Sequence, residues 1–155
     1  MAGILLKVGG SPVSIAPNTT RTVLQLQSAS NHRIKLNGFS VSFKGIASNE
    51  PPYLVQLTRQ QYAAISGTSI TPVHNNPLDT ETIQCTASAG NMYVSGTSSI
   101  LQQLEVHPQG SWQIMYPYGQ EVVIPGVSPQ YLGLNIISQS TNSTTDCVAQ
   151  FDIEE

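Results

Sequence analysis

The residues best placed to do chemistry lie in "EVHPQGSWQIMYPYGQEVVIPG", residues 105 to 126, which holds one of three histidines and the only tryptophan. A metal centre of the cupin type is the sharpest chemistry this stretch suggests. Such a centre needs an H-x-H pair on one strand face, a following Glu, and a later His beside a P-x-G turn. Pro117-Tyr118-Gly119 supplies the turn. The ligands are missing: His107 is followed by Pro108 and Gln109, and Val122 stands where the later histidine belongs. His32 and His74 fall in separate predicted loops, so no metal and no cofactor is expected.

Other catalytic arrangements fare no better. No serine sits in a G-x-S-x-G elbow, and no glycine-rich loop ends in Lys-Ser/Thr to cradle phosphate. Carboxylates are few, and Asp152, Glu154 and Glu155 read as a solvated strand face and chain end. Cys85 and Cys147 form no metal or redox motif. No catalytic residue is assigned, and the chain is not read as an enzyme. The sequence reads instead as turns and strands. His107-Pro108-Gln109-Gly110 and Pro117-Tyr118-Gly119-Gln120 each suit a tight turn, and each is predicted to close a hairpin. Between them Trp112, Ile114 and Tyr116 share a face. Trp112 and Tyr116, with Tyr118 in the turn, are candidates for the core or a subunit interface. A sugar-stacking platform is the weaker alternative for these aromatics.

The elements that position these residues are strands. Period-two alternation marks 22–27, 33–43, 52–60, 82–88, 100–107, 111–117, 121–125, 131–138 and 147–155. In 33–43 the apolar parity changes across Asn37-Gly38, from Ile34 and Leu36 to Phe39, Val41 and Phe43, which predicts a β-bulge or bend there. Residues 60–67 have room for one helical turn. Residues 67–80 read as a long loop, and "SAGNMYVSGTSS" (88–99) as turn and loop with a little strand at 92–94. The expected fold is all-β, a single-domain antiparallel jelly-roll sandwich of about eight strands over 21–155. An immunoglobulin-like sandwich fits less well, because about two-thirds of the chain precedes Trp112. Residues 1–20 read as an extended N-terminal arm with a short strand at 3–8. Its Ile4, Leu5 and Leu6 suit either addition to a neighbour's open sheet edge or pairing with the chain's own sheet.

Charge is sparse and polarised. Charged residues are 10% of the chain and the net charge is −3. All six basic residues (Lys7, Arg21, Arg33, Lys35, Lys44, Arg59) lie in the first 59 positions, where Glu50 is the only acid. Six basic residues at negative net charge give no nucleic-acid footprint. The polarity suits either a basic docking surface or, more simply, opposite charges meeting across paired early and late strands. No apolar run approaches the ~20 residues of a membrane span. Both thiols are expected free and buried in a reducing cytoplasm. The sequons at Asn18 and Asn142 are then chance matches.

A strand ending in "VHPQGS", a short aromatic strand, then "PYGQEVVIPG" and "YLGL" resembles small proteins encoded by tailed bacteriophages. "RIKLNGFSVSFKG", "EPPYLVQLTR" and the "GTS…TPV…D" loop fit as well, so the resemblance runs from about residue 20 to the C-terminus. Members with a role look like head decoration or cement proteins. That resemblance implies a homotrimeric jelly roll, made in the host bacterial cytoplasm, that binds the phage major capsid protein on the virion surface and stabilises the head. Other small phage jelly rolls serve as carbohydrate- or receptor-binding heads of fibres. A fibre head usually follows a stalk, and this chain has no heptads, which favours the capsid.

Overall fold

The computed structural model describes residues 3–96, 98–126 and 130–155. Thirteen strands account for its regular structure, and no helix occurs among the described residues. In chain order they are β1 (Leu5–Gly9), β2 (Val13–Ile15), β3 (Thr20–Gln27), β4 (Ile34–Lys44), β5 (Tyr53–Gln60), β6 (Thr68–Ile70), β7 (Val73–His74), β8 (Thr86–Met92), β9 (Ser98–Val106), β10 (Ser111–Met115), β11 (Val122–Ile124), β12 (Tyr131–Ile137) and β13 (Thr145–Glu154). They form two antiparallel sheets. The first runs β10-β4-β13-β1-β7, with β11 also on β4 and β2 also on β13; the second runs β6-β8-β3-β12-β5-β9.

Leaving aside β2 and β11, which lie off the main path, and β6, β7 and β8, which are inserted between β5 and β9, the order is β1-β13-β4-β10 over β3-β12-β5-β9. This is the eight-stranded double-sheet roll that the sequence suggested. The inner faces meet in one core. Leu36, Phe39, Phe151 and Val8 from the first sheet and Leu24, Val55, Leu57, Leu132 and Leu134 from the second are completely buried. Phe43 of β4 stacks on Tyr53 of β5 with ring centroids 4.5 Å apart, joining the two layers.

Residues 3–20 do not stand away from this sandwich. β1 occupies the opening-strand position of the roll, pairing Leu6 with Ile153 and Val8 with Phe151, while β2 pairs Val13 with Cys147. Leu6, Val8, Val13 and Ile15 are buried. The alternation Leu6/Val8 and Val13/Ile15 carries the reason: both pairs point into the core, as a half-buried strand requires. Met1 and Ala2 of the expected arm lie outside the described residues.

The parity change at Asn37-Gly38 is a β-bulge. Asp152 faces Gly38 and Ile153 faces Leu36, leaving Asn37 as the extra residue. It lets Ile34 and Leu36 as well as Phe39, Val41 and Phe43 point inward. Several expectations fail, among them the long loop read over 67–80, which carries β6 and β7 and puts His74 in a strand. Residues 60–67 form no helical turn; Ser66 has φ 67° and Ile65 bridges Tyr93. "SAGN" is the middle of β8, not a turn. Small residues are needed there because neighbours come close: a side chain on Gly10 would meet Ala89 Cβ at 2.6 Å.

The charge polarity resolves into pairing. Acidic β13 runs between basic β1 and β4, so Asp152 faces Lys7, Glu154 faces Lys35 and Asp146 faces Lys44. Lys35 Nζ lies 3.4 Å from Glu154 Oε1. Partly exposed pairs of this kind contribute about 0–1 kcal/mol each, so they set register and neutrality more than stability.

Because β1 covers β13 and part of the core, Leu6→Ala is expected to cost about 2–5 kcal/mol. Leu5→Ala, at the 46% exposed neighbour, costs less than about 1 kcal/mol. Urea denaturation of the two variants measures the difference.

Candidate functional site

The 105–126 stretch is a corner of the sandwich rather than a pair of hairpins. β9 pairs with β5 in one sheet and β10 with β4 in the other, so the turn between them carries the chain from layer to layer. Gly110 N–H donates to the His107 carbonyl across Pro108 and Gln109. The His107 ring is spent on the corner: Nδ1 accepts the Gln109 N–H at 3.1 Å and Nε2 donates to the Ser48 carbonyl at 3.2 Å. Gly45 donates to the Pro108 carbonyl, and a Cβ there would lie 2.2 Å from that oxygen. The second turn closes no hairpin either. β10 and β11 lie end to end along β4, and Pro117–Gln120 is a turn in the excursion between them. Gly119 takes the φ of 85° that such a turn needs.

The three aromatics separate. Tyr116 is half-buried against the core; its hydroxyl lies 2.5 Å from Gln102 Oε1, tying the β10 edge to the β9 edge. Burial pushes its phenol up. Trp112 is 49% exposed and Tyr118 96% exposed. Ile100, Leu101, Met115 and Val123 are exposed too, but on different faces: Met115 faces Gly38 and Val123 faces Lys35 on the outside of the first sheet, whereas Ile100 faces Thr58 on the outside of the second. Leu101 is an extra residue in β9, since Leu57 faces Gln102 and Thr58 faces Ile100. That bulge turns two successive apolar side chains toward solvent.

No group of three or more His, Cys, Asp or Glu able to hold a metal occurs among the described residues. Cys85 and Cys147 are free thiols, both buried. Glu155 accepts the Gln84 N–H, and Glu50 accepts the Ser143 N–H and hydroxyl. Those two bonds hold the Glu50 carboxyl below its ordinary range. Asn142 is buried with its amide donating to the Pro51 carbonyl, so this sequon offers no acceptor for a glycan. Ile4 packs against the core edge and pairs with Glu155, Leu6 is buried, and Leu5 is exposed. All three belong to the chain's own first sheet.

A polar constellation that the sequence reading did not single out lies on the outer face of the second sheet. Thr22, Gln25, Gln60 and Asn135 are all at least nine-tenths buried. Thr22 donates to Asn135 Oδ1 at 2.6 Å, and Gln60 Nε2 donates to both Thr22 Oγ1 and Asn135 Oδ1. Gln25 donates to Gln60 Oε1 and reaches the segment above, accepting the Ala64 N–H and donating to the Tyr62 carbonyl. A Cβ on Gly133 would lie 2.4 Å from the Gln60 amide, which would have to shift out of this network. Thr22, Gln60 and Asn135 floor a depression of about 130 Å³ walled by Thr20, Met92, Tyr93, Val94 and Ser98. The only advance signal was polar residues at the outward positions of β3, β5 and β12, a pattern shared with any solvated strand face. A larger depression of about 330 Å³ crosses the first sheet between Leu5 and Met115. Its Lys7 and Gln113 are exposed to solvent rather than held.

No family model, curated protein or solved structure matches this chain.

Burial, aided at Cys85 by the Glu155 carboxylate, pushes both thiols up to about 12, and burial does the same to the Tyr53 phenol. In the unfolded chain these groups ionise at lower pH, so the stability they confer is complete below about pH 9 and is lost as pH rises toward 12. The urea midpoint is expected to fall between about pH 8 and about pH 10.5. The double variant Cys85→Ala/Cys147→Ala should show a shallower fall.

Proposed function

We propose that the chain is a non-enzymatic structural protein of a phage virion: a decoration or cement protein that binds the major capsid protein on the outside of the head. It acts as a homotrimer. The observation that carries this reading is that β9, β10 and β11, the edge strands on one side of a closed sandwich, carry exposed apolar side chains. Ile100, Leu101, Trp112, Met115, Tyr118 and Val123 are all at least 40% exposed there. Exposed apolar side chains along an open strand edge are a feature that proteins ordinarily cover. Covering it with a second copy leaves the opposite parts of the molecule to face the capsid.

The physical demands of a cement protein are consistent with what this chain offers. It must be rigid, and the β9–β10 corner, the Phe43–Tyr53 stack and the Tyr116–Gln102 bond join the layers at several places. It need not bind strongly as a single copy, because many copies on one lattice act together. The resemblance of "VHPQGS" and "PYGQEVVIPG" to small proteins of tailed bacteriophages motivates the destination.

The test is co-sedimentation with capsids that lack the protein, together with light scattering of the free protein. The wild type should scatter as a trimer, bind the capsids and raise their resistance to heat. Leu101→Glu/Trp112→Glu, at two exposed positions, should unfold at the same temperature as the wild type. It should lose trimer affinity by more than about tenfold. A monomeric wild type that binds no capsid contradicts the reading.

A further inference from the structure

We propose that the depression on the outer face of the second sheet is a subsite for a neutral sugar unit. This holds whether the protein sits on a capsid or elsewhere, and it uses residues other than the exposed apolar ones of β9, β10 and β11. Buried polar side chains on the outside of a sheet are unusual, and here half of them have a structural task. Gln25, with Gln60 Oε1, pins the segment at Tyr62 and Ala64. The other half, Thr22, Asn135 and the Gln60 amide nitrogen, anchors nothing above it. It forms the floor of the opening instead.

The floor is preorganised for a polar ligand. Asn135 Oδ1 already accepts from both Thr22 and Gln60. That fixes the orientation of the amide and leaves its Nδ2 with no hydrogen-bond partner among the described residues. A donor held in one direction by two neighbours is the group that an incoming hydroxyl oxygen can use at little entropic cost. The hydroxyls of Thr20 and Ser98 stand at the rim and both donate and accept. Tyr93 supplies the apolar wall. It is 56% exposed, and its backbone is locked by two hydrogen bonds to Ile65. Paired hydroxyls on one edge of a ring and C–H groups on its face are what a pyranose presents. Among the described residues no charged side chain lines the opening, which suits a neutral sugar rather than a sialic or uronic acid. At about 130 Å³ the opening is smaller than pockets that enclose a whole ligand. It therefore takes one edge of the ring and leaves the remainder in solvent, where a longer glycan would continue.

The test is protein NMR, titrating the folded chain with methyl β-D-galactopyranoside, methyl α-D-glucopyranoside and N-acetyl-D-glucosamine, with glycerol as the control polyol. At least one sugar should saturate with a Kd of roughly 1–10 mM. The shifts should centre on Met92, Tyr93, Val94, Ser98 and the Asn135 side-chain amide. Tyr93→Ala should weaken binding by about tenfold with no change in melting temperature, and Tyr93→Phe should retain it, because the ring makes the contact. Three results each overturn the proposal: no saturable shift with any sugar up to about 50 mM, equal shifts with glycerol, or binding that survives Tyr93→Ala. None of them bears on capsid binding, which the co-sedimentation assay reads separately.

Discussion

The fold depends on the pairing of β13 between β1 and β4. This strand takes the chain's beginning on one side and its longest early strand on the other, so three distant segments meet in one ladder. Val8, Phe151 and Phe39 lie side by side across it, each with no exposed surface. Most of the hydrophobic stabilisation available to the first sheet is gathered in such rows. The same ladder sets Lys7, Lys35 and Lys44 against Asp152, Glu154 and Asp146. Half of the basic residues, segregated from the acids in sequence, thereby face an acid in space.

From that constraint the outer surfaces follow. β4 is committed to β13 on one edge, so its other edge is left to β10 and β11, short strands laid end to end. β9 is the matching edge of the second sheet, and the His107 corner ties the two edges into one flank. The β5–β9 insertion widens the opposite side, placing β8 and β6 beyond β3 and β7 beyond β1. Its first segment folds over the second sheet and buries Gln25 and Gln60. The molecule thus has edge strands that carry exposed apolar side chains and, on the second sheet, a polar, partly roofed face.

Much of the fold was legible because period-two alternation is a local property. β3, β4, β5, β12 and β13 stand within two residues of where alternation put them, and the bulge at Asn37 was visible as a parity change. Pairing is not local. Nothing in "VHPQGS" distinguishes a turn that closes a hairpin from one that changes layers, since both need proline and glycine at the same places. The place of β1 was open for a similar reason: Leu6 and Val8 alternate equally well for a neighbour's sheet or for their own. The Thr22–Gln60–Asn135 cluster was hidden because outward polar residues look alike whether water or another segment covers them. Trp112 stood out in the sequence by its rarity, but only the edge position of β10 shows that it is half-exposed.

The account's central claim is that the opening segment is part of the sandwich, so that the free chain is a finished building block before it meets any partner. Hydrogen–deuterium exchange of the free protein tests this most directly. The amides of Leu6 and Val8 are expected to exchange as slowly as those of Phe151 and Ile153, because all four are released only by opening of the same ladder. Fast exchange at Leu6 and Val8 beside slow exchange in β13 would contradict the account and make residues 5–9 a free arm awaiting a neighbour.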